Sequence, residues 1–135
     1  LSEAGIVPKR VNTLMPTKPR TNNQHIGQWG ESAAAEYLIA QGWTVLARNV
    51  RTPYGEIDLR AQHGDVTVFI EVKTRTSDSF GPPEVAVSAR KQQHMMAAAE
   101  HYAAEHNIDH WQIDVIAVEG RPGTKPVITH FKNIL

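Results

Sequence analysis

Hydrophobic residues recur along this chain with two different periods. Over residues 25–41 they are spaced three or four apart, which is typical of a helix, and Gly42 follows as a C-terminal cap. A second helix is predicted over residues 89–106, with Ser88 as its N-cap. The apolar positions that define the first helix are Ile26, Trp29, Ala33 and Tyr37.

Shorter stretches rich in β-branched and aromatic residues predict strands. Turn residues separate them, such as Pro53 and Gly55. The predicted strands cover residues 43–50, 55–62, 65–75, 111–118 and 127–134. The element order is therefore α-β-β-β-α-β-β, an α/β fold with helices flanking one sheet. Residues 1–23 are polar and contain three prolines, which predicts a flexible basic tail before a single domain over residues 24–135.

The second and third strands form a predicted hairpin that separates apolar from polar residues. A two-residue turn at His63-Gly64 makes Gln62 face Asp65 and sets Asp58 opposite Phe69. One face is then entirely apolar, whereas the other carries most of the charge. The apolar set is Ile57, Leu59, Ala61, Val66, Val68, Ile70 and Val72.

Three charged residues share the polar face of this hairpin. In the predicted register Asp58 and Glu71 are diagonal neighbours, and Lys73 points the same way two residues farther on. Two carboxylates so placed can hold a hard divalent cation such as Mg²⁺, and Lys73 can assist a nucleophile or neutralise charge on a phosphate. The alternative is a solvated strand face. The helices on either side in sequence favour a covered face, where buried carboxylates need partners.

Composition and charge narrow the function classes. The chain has 135 residues and no cysteine, so disulfides and thiolate metal sites are excluded. No apolar run is long enough to cross a bilayer and no leader is evident, so we expect a cytoplasmic protein without a membrane partner. From His25 onward 10 basic and 13 acidic residues leave a net charge of −3, which argues against tight non-specific DNA binding. The sequence leaves homodimer formation open.

A carboxylate on one strand followed by Glu-x-Lys on the next resembles the PD-(D/E)XK nuclease superfamily, whose fold is called restriction-endonuclease-like. The chain is more closely similar to the YraN family of predicted endonucleases, and the similarity covers residues 25–135. The matching stretches are Gly27-Gln28-Trp29-Gly30-Glu31, Gly55-Glu56-Ile57-Asp58-Leu59, Glu71-Val72-Lys73-Thr74-Arg75, Phe80-Gly81 and Arg90-Lys91-Gln92.

The resemblance implies a role for each matching position. Asp58 and Glu71 correspond to metal ligands, with the Val72 carbonyl as a third, and the ion expected is Mg²⁺ or Mn²⁺. Lys73 corresponds to the catalytic lysine. Glu31 corresponds to an acidic helix residue that reaches the metal through water or binds a second ion.

The resemblance also implies roles for three more positions, and this sequence departs from the motif at one position. Gln92 is similar to the helix glutamine of Holliday-junction-resolvase relatives, and Arg75 and Lys91 correspond to phosphate contacts. Ile57 stands where the motif's name has proline.

Several of these residues also have plain structural interpretations. Glu31 can complement a helix dipole, Gln92 can be a hydrogen-bonded amide at the edge of an apolar stripe, and Arg75 can be solvated. Asp114 begins an apolar strand and is interpreted as structural. Around the second predicted helix, His94 and His101 are seven residues apart and His101 and His106 are five apart, so neither pair has the i, i+4 spacing of a helical zinc site, and zinc is not expected.

The sequence therefore predicts a metal-dependent endonuclease acting on DNA, including branched or damaged structures. The competing hypothesis is a non-catalytic module that binds nucleic acid or protein on a nuclease-like fold. Residues 76–87 form a long segment without a clear period directly after the third strand, and we expect a mobile loop beside the site.

Overall fold

The computed structural model describes residues 21–76 and 88–135. The described chain forms two helices and five strands in the predicted order α-β-β-β-α-β-β, which confirms the α/β fold. In chain order the elements are α1 (Asn22–Ala40), β1 (Thr44–Thr52), β2 (Gly55–His63), β3 (Val66–Arg75), α2 (Ala89–Glu105), β4 (Trp111–Glu119) and β5 (Val127–Phe131).

The five strands form one mixed sheet in the order β1-β2-β3-β4-β5. Neighbouring strands are antiparallel except β3 and β4, which run parallel from the Thr67–Trp111 pair to the Arg75–Glu119 pair. A parallel pair needs a long crossover connection, and α2 lies within it. The two helices are packed against the sheet by two different sets of apolar residues.

The boundaries of both terminal elements differ from the prediction. Helix α1 begins at Asn22, three residues earlier than expected, because Thr21 forms a capping box with Gln24. Strand β5 ends at Phe131 rather than at residue 134. The backbone of Asn133 adopts a positive φ of 52°, and this bend turns the chain out of the strand. The predicted tail, apart from its last residues, lies outside the described residues.

The β2–β3 hairpin has its turn one residue later than predicted. His63 pairs with Val66, so the two turn residues are Gly64 and Asp65, and Gly64 has the positive φ that such a turn requires. Each residue of β2 is therefore paired two positions farther along β3, and Arg60 rather than Asp58 lies opposite Phe69. A shift by two positions keeps every side chain on its face, so the separation of apolar and polar residues largely survives.

Two apolar clusters lie on opposite faces of the sheet. The cluster under α1 is formed around Ala34, Leu38, Leu59, Ala61, Val68, Ile70, Ile116 and Val118. The cluster under α2 is formed around Ile57, Phe69, Ala98, Ala99, Tyr102, Ala103 and Ile113, and the C-terminal Ile134 and Leu135 pack against it. No helix in the described part of the chain is long and apolar enough to cross a membrane.

Gly30 lets α1 lie unusually close to β3. A Cβ atom built on Gly30 would clash with the hydroxyl oxygen of Thr74, far inside van der Waals contact. The glycine in this part of the helix therefore has a packing reason that outweighs its cost of roughly 1 kcal/mol relative to alanine. The close approach fixes Glu31, the next residue, beside the carboxyl-terminal half of β3.

Candidate functional site

The site forms where β2 and β3 separate. Regular pairing of the two strands ends at Leu59 and Ile70. Asp58, which precedes Leu59 in β2, is the first residue outside the paired region. The Val72 N–H donates a hydrogen bond of 2.8 Å to Asp58 Oδ2 in place of a backbone acceptor. A strand residue presents its N–H and C=O to the same neighbouring strand. The Val72 carbonyl therefore faces the same opening beside Asp58.

The separation of the strands also overturns one sequence interpretation. Ile57 was expected on the same face as Leu59, but it packs with Phe69 in the cluster under α2. The regular alternation of side chains therefore breaks at Asp58, between two apolar residues that are buried on opposite faces. Asp58 consequently lies at the edge of the gap between the strands, close to the backbone of β3. It is not the diagonal neighbour of Glu71 across a regular ladder that the sequence predicted.

Glu71 lies on the face of β3 that α2 covers. Only 13% of its side chain is exposed, and its Oε2 is 3.4 Å from Nζ of Lys91. Lys91 belongs to the first turn of α2, where its N–H donates to the Ser88 hydroxyl that caps the helix. The predicted N-cap is thus confirmed, and it holds the backbone of Lys91 against the site.

A cleft beside Glu71 has mostly apolar walls. It is lined by Glu56, Ile57, Phe69, Ile70, Glu71, Met95, Ala98 and Ile113. Apolar walls exclude water, and carboxylates near them are poorly solvated. The prediction that a helix covers the polar face of the hairpin is confirmed at this position.

Glu31 approaches from the opposite side, on α1. Burial raises the pKa of its carboxyl group, while a hydrogen bond with the Asn49 side chain and the charge of Arg48 lower it. The negative charges of Glu56 and Glu71 raise this pKa further, so both carboxylates lie within electrostatic range of Glu31. Glu31 is therefore part of the same acidic cluster as Glu71.

Asp58 is the most strongly perturbed group of the cluster. Burial, and after it the charges of Glu71 and Glu31, raise its pKa from 3.8 to about 7. The Val72 hydrogen bond and the Lys91 ammonium act in the opposite direction. A carboxyl group whose pKa is raised this far by burial and by like charge is characteristic of functional sites.

The remaining predicted residues lie around this cluster. Lys73 is half-buried and, two residues after Glu71, lies on the same face of β3. Gln92 is exposed and follows Lys91 in the first turn of α2, so it is not a buried core amide. Arg75 is the last residue of β3 and pairs with Glu119 of β4. The predicted loop over residues 76–87 lies outside the described residues except for Thr76 and therefore stays a prediction.

The donor set available for a metal ion is limited but chemically suitable. Within residues 21–76 and 88–135, no three His, Asp or Glu side chains lie close enough together to hold an ion by themselves. Asp58, Glu71 and the Val72 carbonyl offer hard oxygen donors at the strand gap, and Mg²⁺ commonly takes few protein ligands and several waters. These residues fit such an ion, with Glu31 as a more distant carboxylate.

Sequence reasoning missed two residues of the acidic site. Asn49 in β1 has a positive φ of 53° and contacts Glu31, and Glu56 contributes negative charge. A polar residue in the left-handed region is uncommon in a strand. The sequence offered only a weak signal for it, since asparagine is among the few residues that tolerate such a conformation.

A second buried carboxylate lies away from this site. Asp114 is fully buried, and its Oδ2 is 2.7 Å from Nε2 of His130. The His130 Nδ1 in turn is 3.1 Å from the Tyr37 hydroxyl of α1. The Gln112 side chain and the Asn133 N–H both donate to Asp114 Oδ1. The network joins β4, β5 and α1, as expected of the structural role that the sequence favoured for Asp114.

Comparison with known proteins identifies related chains of similar length. The model of the uncharacterised protein family UPF0102 matches residues 30–118. A UPF0102 protein of Syntrophotalea carbinolica is 47% identical over 108 residues, which cover 78% of this chain and 87% of the relative. A UPF0102 protein of Nocardia farcinica is 41% identical over 115 residues, covering 84% and 91%. The names of these relatives state the family and no activity.

Proposed function

Since the chain belongs to the uncharacterised protein family UPF0102, the same group as the YraN family, we propose its function from its own site. The proposal is a metal-dependent endonuclease that hydrolyses phosphodiester bonds in nucleic acid, with branched or damaged DNA as the substrate class. Membership of the PD-(D/E)XK nuclease superfamily is part of this proposal.

The raised pKa of Asp58, at a gap between two strands, carries the proposal. Asp58 lies within electrostatic range of Glu71 and Glu31, and its pKa rises to about 7. Clustering carboxylates in a poorly solvated place costs free energy that nothing in the fold of the sheet requires. A divalent cation that neutralises the cluster accounts for this arrangement.

Each residue has a role in the proposed reaction. Asp58, Glu71 and the Val72 carbonyl would hold the ion, which would be Mg²⁺ or Mn²⁺, and Glu31 would act as the more distant carboxylate. When bound, such an ion lowers the pKa of water and withdraws charge from a phosphate oxygen. The Lys73 ammonium stabilises negative charge that develops on the phosphate.

Residues at the border of the site contact the nucleic acid. Arg75 at the end of β3 and Lys91 on α2 carry positive charge toward the backbone phosphates, which supply most of the affinity in such complexes. Gln92, exposed in the same helical turn as Lys91, orients the scissile phosphate or the attacking water by hydrogen bonding. These two basic side chains form a local phosphate-binding border rather than a broad basic surface.

The proposal is tested with the full chain and labelled DNA. Branched, nicked and single-stranded substrates are incubated with Mg²⁺ or Mn²⁺, and products are resolved on denaturing gels. We expect cleavage of at least one substrate, and a decrease of about a hundred- to a thousandfold in Lys73→Ala, the range seen when one charge-stabilising donor is removed. The control is Lys132→Ala, which removes an exposed lysine of the C-terminal segment. Intact substrates, or unchanged cleavage by Lys73→Ala, refute the catalytic role.

The second candidate is a binding module without catalysis. It is supported by the Lys91–Glu71 ion pair, which neutralises part of the cluster without any metal, and by the net charge of −3 from His25 onward. Titration calorimetry separates the two candidates. A catalytic site binds Mn²⁺ through Asp58 and Glu71, whereas a metal-free module has no affinity that depends on these residues.

A further inference from the structure

The Lys91 ammonium lies close to the proposed metal position, where its positive charge and that of the ion would repel each other. It stands 3.4 Å from a Glu71 carboxylate oxygen. Its charge also lowers the pKa of Asp58. One ammonium group thus acts on both carboxylates that are proposed to hold the ion. Among the described residues, Lys91 is the lysine within ion-pair distance of Glu71.

The pair has a physical reason in the metal-free protein. Glu71 is only 13% exposed, and a carboxylate so far removed from water is costly without an opposite charge. Lysine suits this task because its charge is compact and its four-carbon stem is flexible. The ammonium therefore lowers the cost of the acidic cluster until another cation arrives.

The structure also leaves this side chain able to move. The backbone of Lys91 is fixed by the Ser88 cap at the start of α2, but 41% of its side chain is exposed. The stem can rotate toward solvent without unfolding the helix. A divalent cation at Glu71 repels an ammonium at this distance, since like charges a few ångströms apart repel one another even in water.

From these observations we propose that Lys91 is an exchangeable counter-ion: it occupies the cation position beside Glu71 in the metal-free protein and is released when a divalent cation binds. The released ammonium lies at the rim of the site, where it contacts a backbone phosphate of the substrate. Lys91 thereby couples metal binding to nucleic-acid binding. This inference rests on the proposed metal site.

The test compares Mn²⁺ binding by three proteins with titration calorimetry. Lys91→Met keeps the length and apolar character of the stem but removes the charge. Arg90→Met is the matched control, because it removes one positive charge from the neighbouring, exposed residue of the same helical turn. We expect Lys91→Met to bind Mn²⁺ about tenfold more tightly than the wild type, and Arg90→Met to change the dissociation constant by less than about twofold.

The outcomes separate the exchange from the metal site itself. Equal or weaker Mn²⁺ binding by Lys91→Met, with clear binding by the wild type, overturns the exchange and leaves the nuclease proposal standing. Binding by Lys91→Met alone supports Lys91 as the competing cation but refutes a functional metal site in the natural chain. Absence of binding in all three proteins overturns both.

A second measurement follows the side chain directly. Diamagnetic Mg²⁺ is added to the wild type while the ¹H–¹³C NMR signal of the Lys91 ε-methylene group is recorded. We expect this signal to shift toward that of a free lysine, and to stay in place in Asp58→Asn. An unchanged Lys91 signal at saturating Mg²⁺ overturns the exchange.

Discussion

Asp58 and Asp114 belong to the same sheet, but their carboxylates have opposite kinds of neighbours. Asp114 is completely buried, but its two oxygens are met by Gln112, Asn133 and His130. Burial, together with the charges of Glu71 and Glu31, raises the pKa of Asp58 to about 7, although Asp58 accepts a hydrogen bond from Val72 that acts in the opposite direction. Asp114 is the more deeply buried of the two, so depth of burial alone does not mark the candidate site, whereas the nature of the partners does.

The difference suggests how to separate a structural from a functional carboxylate. The partners of Asp114 come from three parts of the chain, so its negative charge is stabilised by the fold itself. The neighbours of Asp58 add negative charge, which the Val72 N–H and the Lys91 ammonium offset only in part, so a cation from outside the chain would stabilise its ionised form further. A carboxylate of the first kind contributes to stability, and one of the second kind reduces it until a ligand binds.

The largest expected effect is the loss of stability when Asp114, the structural carboxylate, is replaced. Asp114→Ala should lower the free energy of unfolding by about 3–5 kcal/mol, because it leaves His130, Gln112 and the Asn133 N–H without their acceptor in the interior. Urea denaturation measures this change. Asp114→Asn, which keeps one acceptor oxygen, should cost less. A loss below about 1 kcal/mol for the alanine variant would show that the network is dispensable.

The next largest expected effect is the loss of stabilisation by Mn²⁺ when Asp58, the candidate metal ligand, is replaced. Asp58→Asn should leave the metal-free protein as stable as the wild type or more stable, because it removes one of the mutually repelling charges. The same variant should lose the stabilisation by Mn²⁺, which for the wild type amounts to about 2.7 kcal/mol at a hundredfold excess over Kd. Thermal melts with and without Mn²⁺ measure both quantities.

Two results would contradict this prediction. A metal-free Asp58→Asn protein that melts several degrees below the wild type would make Asp58 a structural residue like Asp114. Equal stabilisation of both proteins by Mn²⁺ would place the ion elsewhere, for example at a histidine.

The smallest effect concerns pH. The pKa of Asp58 is higher in the folded protein, about 7, than its ordinary value of 3.8. The folded state therefore binds the proton more tightly, and this contribution to stability is lost as pH rises through 7. Between pH 5 and pH 8, without divalent ions, the wild type should lose about 1–2 kcal/mol relative to Asp58→Asn, after allowance for partial exposure.

Urea denaturation of both proteins at several pH values, with a chelator present, checks this difference. The raised pKa of Glu31 acts in the same direction in both proteins, so it largely cancels in the comparison. A constant difference across the pH range would mean that Asp58 is ionised normally in the folded chain.

Much of the fold followed from local pattern. The helical spacing around Ala33 and Tyr37, the Ser88 cap and the alternation in β3 each depend on residues close together in sequence, and each was predicted correctly in kind. The predicted hairpin turn lies one residue too early because His63-Gly64 and Gly64-Asp65 both supply a glycine. Packing of the whole hairpin decides between such registers.

The order of elements and most residues of the candidate site could be predicted from the sequence, because periodicity and motif spacing are local properties. How these residues meet depended on tertiary packing. The separation of β2 from β3 at Asp58, the approach of Lys91 to Glu71 and the meeting of Asp114 with His130 all join residues far apart in the chain. Such contacts depend on how strands end and where helices pack, and these are set by the balance of burial and hydrogen bonding over the whole domain.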